Sequence, residues 1–201
     1  MRWISRVVSL GPVAFPPPRG VRVLMMPFYL HDTTATLPSW LDAWWPTVRG
    51  LVAVAPVRRG VGYLTIDERY VRRGQTHRRP GLHVDGWRRD GGSWGGGGWG
   101  GKDGMVVAAS HVGSVAYRQG FDGEPAEYGN CEGLRTQIDP ASVSPLLGGV
   151  AYGLGALTVH ESVAATEDQA RQFIRLSMPS RAQWNLSNTR NQLGVEPEGR
   201  I

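Results

Sequence analysis

The chain has 201 residues, of which 41% are hydrophobic and 19% charged, enough to bury a sizeable core and too few for two full domains. Its 28 glycines and 14 prolines suit a turn-rich β architecture and disfavour a helical bundle, and no apolar run approaches the length of a membrane span. The formal net charge of +5 comes almost wholly from arginine, with Lys102 the single lysine; such a surface can hold nucleic acid through its phosphates, steer a small anion, or simply decorate exposed strand ends.

Taken in chain order, Met1 to Val8 has a basic start, but Pro12 and the run Pro16-Pro17-Pro18 come before any long apolar core develops. We read no signal peptide there and expect a cytosolic protein. The lone Cys131 cannot form an internal disulfide, in keeping with a reducing compartment. Val21 to Leu30 predicts a buried strand, and Leu37 to Trp45 a short helix with Ser39 near its start and Pro46 stopping it. Tyr63 to Asp67 alternates as a strand does. The polar connector from Arg72 to Pro80 follows, in which His77 is expected to be exposed. Gly81 to Trp87 predicts the next strand, and Met105 to Ala109 and Gly113 to Arg118 two more. Gly148 to Val159 supplies another, interrupted by glycines where a bulge or close backbone approach is expected. A turn at Thr166 to Gln169 leads into a last strand from Arg171.

Between these, Asp90 to Gly104 is so rich in glycine that fixing it as strand or helix would cost too much backbone entropy. It reads as a loop. Trp94 and Trp99 are expensive to leave in water, which favours a flap whose indoles close over a substrate, with a plain flexible hairpin as the alternative. A phosphate cradle is disfavoured, since the Lys-Ser/Thr ending of a P-loop is missing and no helix pattern follows.

Chemistry concentrates in Gly81-Leu82-His83-Val84-Asp85-Gly86-Trp87 and Leu157-Thr158-Val159-His160-Glu161. A strand projects alternate side chains to one face, so His83 and Asp85 can converge on one point while Leu82 and Val84 pack the other way. With His160 they make two imidazoles and one carboxylate, a donor set that suits Fe(II) centres with open coordination positions. Further on, Arg171, Phe173, Arg175 and Ser177 share one strand face, opposite Gln172, Ile174, Leu176 and Met178. An arginine and a serine two residues apart can grip a carboxylate together. Other groups read as bland. His111 lacks a carboxylate at strand spacing, Cys131 has no histidine at a spacing that suggests a nucleophile pair, and Glu161 points to the face opposite His160 and is expected to be solvated. Asn185 and Asn191 are possible substrate contacts near the C-terminal turn.

In this order, His83-x-Asp85, then His160, then Arg175-x-Ser177 resembles the Fe(II)/2-oxoglutarate-dependent oxygenase superfamily over roughly residues 60 to 195. The resemblance implies an all-β fold with minor helices, a double-stranded β-helix of jelly-roll or cupin-like type. It implies one catalytic domain over 1–201: an N-terminal extension to about residue 60, a β-helix core from about 60 to 195, and the Gly/Trp-rich loop 90–104. His83, Asp85 and His160 would hold Fe(II), and Arg175 with Ser177 would bind the distal carboxylate of 2-oxoglutarate. Arg171, nearer the family's commoner spacing from His160, competes for that role. The expected partners are dioxygen and a small molecule, an amino acid or peptide-like metabolite contacted by Trp87, Trp94 and Trp99, whose C–H bond is hydroxylated, desaturated or cyclised. A relative with the same iron site but no need of 2-oxoglutarate is the alternative, with a basic cupin-like nucleic-acid binder behind it. No membrane association is expected, and the oligomeric state is not legible.

Overall fold

A computed structural model describes residues 2–85, 104–179 and 186–198. Among these described residues eleven strands are formed: β1 (Arg2–Ile4), β2 (Val7–Pro12), β3 (Arg22–Tyr29), β4 (Val61–Val71), β5 (Met105–Ala109), β6 (Ser114–Tyr117), β7 (Gly120–Asp122), β8 (Val143–Pro145), β9 (Val150–Leu154), β10 (His160–Ser162) and β11 (Gln169–Ser177). Helices are few, as the composition implies. A four-residue turn of helix, α1 (Thr33–Thr36), is followed by a 3-10 segment (Ser39–Trp44) and α2 (Trp45–Val54).

Six strands form one antiparallel sheet in the order β2-β9-β5-β11-β4-β3. Its spine is the pairing of β11 with β4, in register from Gln169 opposite Val71 to Ser177 opposite Tyr63. A smaller sheet has the order β10-β6-β8. His83 extends it, exchanging both backbone hydrogen bonds with His160 at 2.9 Å and bridging on its other side to Asn130. The chain therefore passes from the large sheet at β4 to the small one at His83, back at β5, across again for β6 and β8, back at β9, across at β10 and home at β11. β1 and β7 pair apart from both sheets.

Three apolar layers follow from this alternation. On one face of the large sheet Ile66, Val106, Ile174 and Leu176 pack against Leu41, Trp44, Val48 and Leu51 of the helical segment. Between the sheets lie Met105, Val107, Ala116, Tyr152 and Leu154. Beyond the small sheet Trp3, Leu82, Val84, Phe121 and Val159 form a third cluster. β4 and β11 are covered on both faces, which is why β4 is buried from Val61 to Glu68 with little regard to polarity. No helix among the described residues is long and apolar enough to cross a membrane.

Two local expectations need correction. Pro46 starts α2 instead of ending a helix, because a proline in the first turn sacrifices only an N–H that would have no helical partner. His77 is 4% exposed, not solvent-facing, since its connector folds under the large sheet and sets the imidazole edge-on against Phe173 of β11. The first 60 residues contribute both edge strands of the large sheet, β2 and β3, as well as its helical cover.

Candidate metal centre

His83 and His160 face each other because directly paired residues of an antiparallel ladder send their side chains to the same side. Their ring centroids lie 4.4 Å apart. Asp85, two residues on from His83, returns to that side, with Oδ1 3.9 Å from His83 Nε2 and Oδ2 3.9 Å from His160 Nε2. One ligand atom from each of the three lies within 4.8 Å of the others, near enough for small side-chain movements to close them round a single ion. Each imidazole is oriented by the chain two residues behind it: His83 Nδ1–H donates to Gly81 O at 2.7 Å and His160 Nδ1–H to Thr158 O at 2.8 Å. That fixes the tautomer and turns both Nε2 lone pairs toward the shared point.

Charge at the site favours ligation. Burial, and then the neighbouring His160, push the His83 imidazole down to about 4 against the opposing pull of Asp85, so His83 is neutral at pH 7. Burial opposes the charge on Asp85, but Arg175 and then the two imidazoles hold its carboxyl well below the usual carboxylate range. The donor set is thus the two imidazoles of His83 and His160 and the carboxylate of Asp85, each residue at least nine-tenths hidden from solvent.

The centre opens on a cavity of about 290 Å³ between the sheets. Met105, Val107, Leu154 and Phe173 give it an apolar wall from the large sheet; Ser114 and Ser162 face them from the small one, and Arg78, Arg79 and Arg175 add positive charge. Ser162 escaped sequence reasoning although its signal was present, since it stands to His160 as Asp85 stands to His83. Arg78 lies in the polar connector from Arg72 to Pro80, where nothing in the local sequence sets it apart. Its guanidinium sits 4.9 Å over the Phe173 ring and donates to Asp67 at 2.8 Å.

The three residues proposed to grip a carboxylate are placed differently. Arg175 lines the cavity, with Nη1 3.0 Å from Asp85 Oδ2 and Nη2 3.3 Å from the sulfur of Met25. Ser177 shares its face, yet its hydroxyl goes to the same sulfur at 3.6 Å, and it is not part of the cavity wall formed by the described residues. Met25 reaches both from a bulge in β3 where its φ is +48°, an uncommon conformation for a side chain of that size. Arg171 is buried behind the wall. Its Nη2 donates to His111 O at 3.3 Å, while Nε and Nη1 find no hydrogen-bond partner among the described residues.

On the outer side of the small sheet an ion-pair network joins the two ligand segments. Glu132 accepts from Leu82 N, next to His83, at 2.7 Å, and from Arg135; Arg135 also donates to Glu161, the neighbour of His160, at 2.8 Å. Glu161 further accepts from the Tyr117 hydroxyl. It faces away from His160 as expected, but it is paired and half-buried instead of merely solvated.

Other candidates fall away from the centre. His111 is exposed beside Ser110, and Asn191 donates to Pro27 O and Thr36 O, a structural tie of the C-terminal segment. Trp87, Trp94, Trp99 and Asn185 lie outside the described residues. Comparison of the chain with protein-family models, with curated proteins and with solved structures finds no match.

Proposed function

We propose that the chain is a non-haem Fe(II)-dependent oxygenase that uses 2-oxoglutarate to oxidise a C–H bond of a small molecule. The observation that carries this reading is the convergence of His83, Asp85 and His160, with both Nδ1 positions already committed to backbone carbonyls. The strand path supports it. Alternation of β4, the His83 segment, β5, β6, β8, β9, β10 and β11 between two sheets is what a double-stranded β-helix would require, and the ligands stand on the small sheet beside the cavity.

The donor set fits the ion. Two imidazoles and one carboxylate would supply a divalent first-row metal with three protein ligands and leave the remaining positions to cosubstrate and dioxygen. When bound, Fe(II) supplies dioxygen activation coupled to decarboxylation of 2-oxoglutarate. The chain's own work is to hold, orient and exclude water. Arg175 holds Asp85 from the cavity side and offers a guanidinium for the cosubstrate carboxylate; Met105, Val107, Leu154 and Phe173 keep the reacting region apolar.

The cosubstrate-independent alternative is favoured by one specific contact, the bond from Arg175 to Asp85, which commits part of the guanidinium to a ligand instead of to 2-oxoglutarate. Both readings meet the same experiment. The purified chain is given Fe(II), 2-oxoglutarate and a metabolite pool under argon and then exposed to air. Succinate formation that disappears in His83→Ala, Asp85→Ala and His160→Ala but survives in His111→Ala is expected. Oxygen uptake without any succinate would favour the alternative, and neither signal would remove the oxygenase reading.

A further inference from the structure

Beside the metal cavity lies a second hollow of about 240 Å³ whose wall includes Arg22, Thr65, Asp67, Arg78 and Thr189. Leu24 and Arg78 line both hollows. The two hollows are therefore neighbours, divided by those side chains.

Its charge is unbalanced. Asp67 Oδ1 takes Arg69 Nε at 3.0 Å and lies 3.5 Å from Arg22 Nε; Oδ2 takes Arg78 Nη1 at 2.8 Å, and also Arg69 Nη2. One buried carboxylate thus faces three guanidiniums. His77, 3.6 Å from the same Oδ2, brings no further anion, and its burial lowers the imidazole's pKa against the pull of Asp67. Across the shared wall stand Arg175 and Asp85, which are bonded to each other. Glu68, the neighbouring acid on β4, points to the opposite face and is occupied by Trp44 and Gln172. Asp67 offsets the charge of one of the three guanidiniums around it, so the surroundings of the hollow keep an excess of positive charge that attracts an anion.

Neutral donors are also ready. Thr65 Oγ1 accepts from Met25 N at 3.1 Å and Thr189 Oγ1 from Leu24 N at 2.9 Å, which leaves each hydroxyl proton to donate elsewhere. Two guanidinium groups and two hydroxyls around one concavity are the donors that a carboxylate or phosphate takes in charge-assisted bonds.

We propose that this second hollow is an oxyanion subsite, in which Arg22, Arg78, Thr65 and Thr189 hold a carboxylate or phosphate group, and that it takes the anionic end of an elongated small molecule whose other end reaches the His83, Asp85 and His160 cavity. The subsite stands on its own geometry; the spanning molecule rests on the functional reading above. Arg78 then has two tasks, closing the apolar cavity with its stack on Phe173 and presenting N–H groups to the anion.

The test uses the full metal-free chain at constant ionic strength, titrated with inorganic phosphate while the Nε–H resonances of its arginines are followed. Saturable shifts of two such resonances in the millimolar range are expected. Arg22→Gln, a change at a side chain 66% exposed, should weaken binding tenfold or more with an unchanged melting temperature, and Thr189→Val severalfold. Absence of saturation in the wild type, or unchanged binding in both variants, overturns the subsite. Phenyl phosphate, benzoate and benzyl alcohol then separate the sources: tighter phenyl phosphate assigns a phosphate, tighter benzoate a carboxylate, and benzyl alcohol binding as well as both overturns the charge argument. For the spanning molecule, the better headgroup is placed on a four-carbon phenylalkyl chain and added to Co(II)-loaded protein. Paramagnetic broadening of the phenyl protons, lost in Asp85→Ala, is expected. Sharp phenyl signals with headgroup binding intact overturn the spanning arrangement, and failure of the wild type to take up Co(II) fells the metal reading while leaving the subsite standing.

Discussion

Asp67 is the residue whose loss should be felt most widely outside the metal centre. It is 3% exposed and meets Arg69, Arg78 and Arg22, so removing its charge leaves three partly exposed guanidiniums without their shared counter-charge. Asp67→Asn should cost about 1–3 kcal/mol in urea unfolding, less than deletion of one partner of a fully buried ion pair because solvent screens Arg22 and Arg69. Burial opposes its ionisation, yet the nearby His77 imidazole and the bonds from Arg69 and Arg78 hold the carboxyl below the usual range. Its folded value lies under its unfolded one near 4, so its contribution is full above about pH 4 and is lost as the pH falls further. Stability of the wild type should drop on acidification in that window, with Asp67→Asn showing a shallower drop. Cys131 makes the contrary case of a group kept neutral: burial pushes its thiol up to about 12, against a partial pull from Arg79. Aromatic disulfide reagents at pH 8 should label it slowly in the native chain and at the free-thiol rate in denaturant; fast native labelling would contradict its burial.

At the scale of elements, the metal centre depends on two short segments that hold few hydrogen bonds of their own. β10 has three residues and the His83 segment joins the sheet by a single residue pair on each side. Arg135 ties them from outside through Glu132 and Glu161. Exposed ion pairs are worth under about 1 kcal/mol each, so Arg135→Ala should leave the melting temperature nearly unchanged while weakening Co(II) uptake severalfold, and Arg135→Lys should recover part of the loss. A lowered melting temperature with unaltered Co(II) affinity would make the network a plain surface brace. The turn before β6 is fixed differently. A Cβ on Gly113 would stand 1.5 Å from Arg171 Nη2, and that guanidinium has no room to retreat because Arg171 is 1% exposed. Gly113→Ala should cost about 2 kcal/mol, in the range of overpacked cores, as read by thermal unfolding.

For the molecule as a whole, the bond between Arg175 and Asp85 couples the metal ligands to the cosubstrate side of the cavity. If Arg175 receives the 2-oxoglutarate carboxylate, Arg175→Ala leaves that charge unmatched at a cost of roughly 2–5 kcal/mol. The 2-oxoglutarate requirement should then rise by on the order of a hundredfold, each 1.4 kcal/mol or so being tenfold, with metal uptake retained. A larger effect from Arg171→Ala would transfer the role to the residue buried behind the wall, and indifference to both would favour the cosubstrate-independent reading.

The sequence by itself determined the strands whose signal is local. Alternation in β4 and β11, the buried run of β3 and the glycine-broken approach to β9 each follow from side-chain period and turn chemistry. It also determined that His83 and Asp85 share a face, because two residues along a strand always do. What only the tertiary structure decided is everything that depends on pairing across the chain. His160 meets His83 through a backbone register between residues far apart in sequence, and no local pattern encodes a register of that kind. Arg171 and Arg175 are equivalent by alternation, yet one faces the cavity and the other is buried beside Gly113, since the space in front of each is set by different strands. Pro46 and His77 were misjudged for the same reason: a proline breaks or starts a helix according to where the chain enters it, and a polar connector is exposed only if no sheet closes over it.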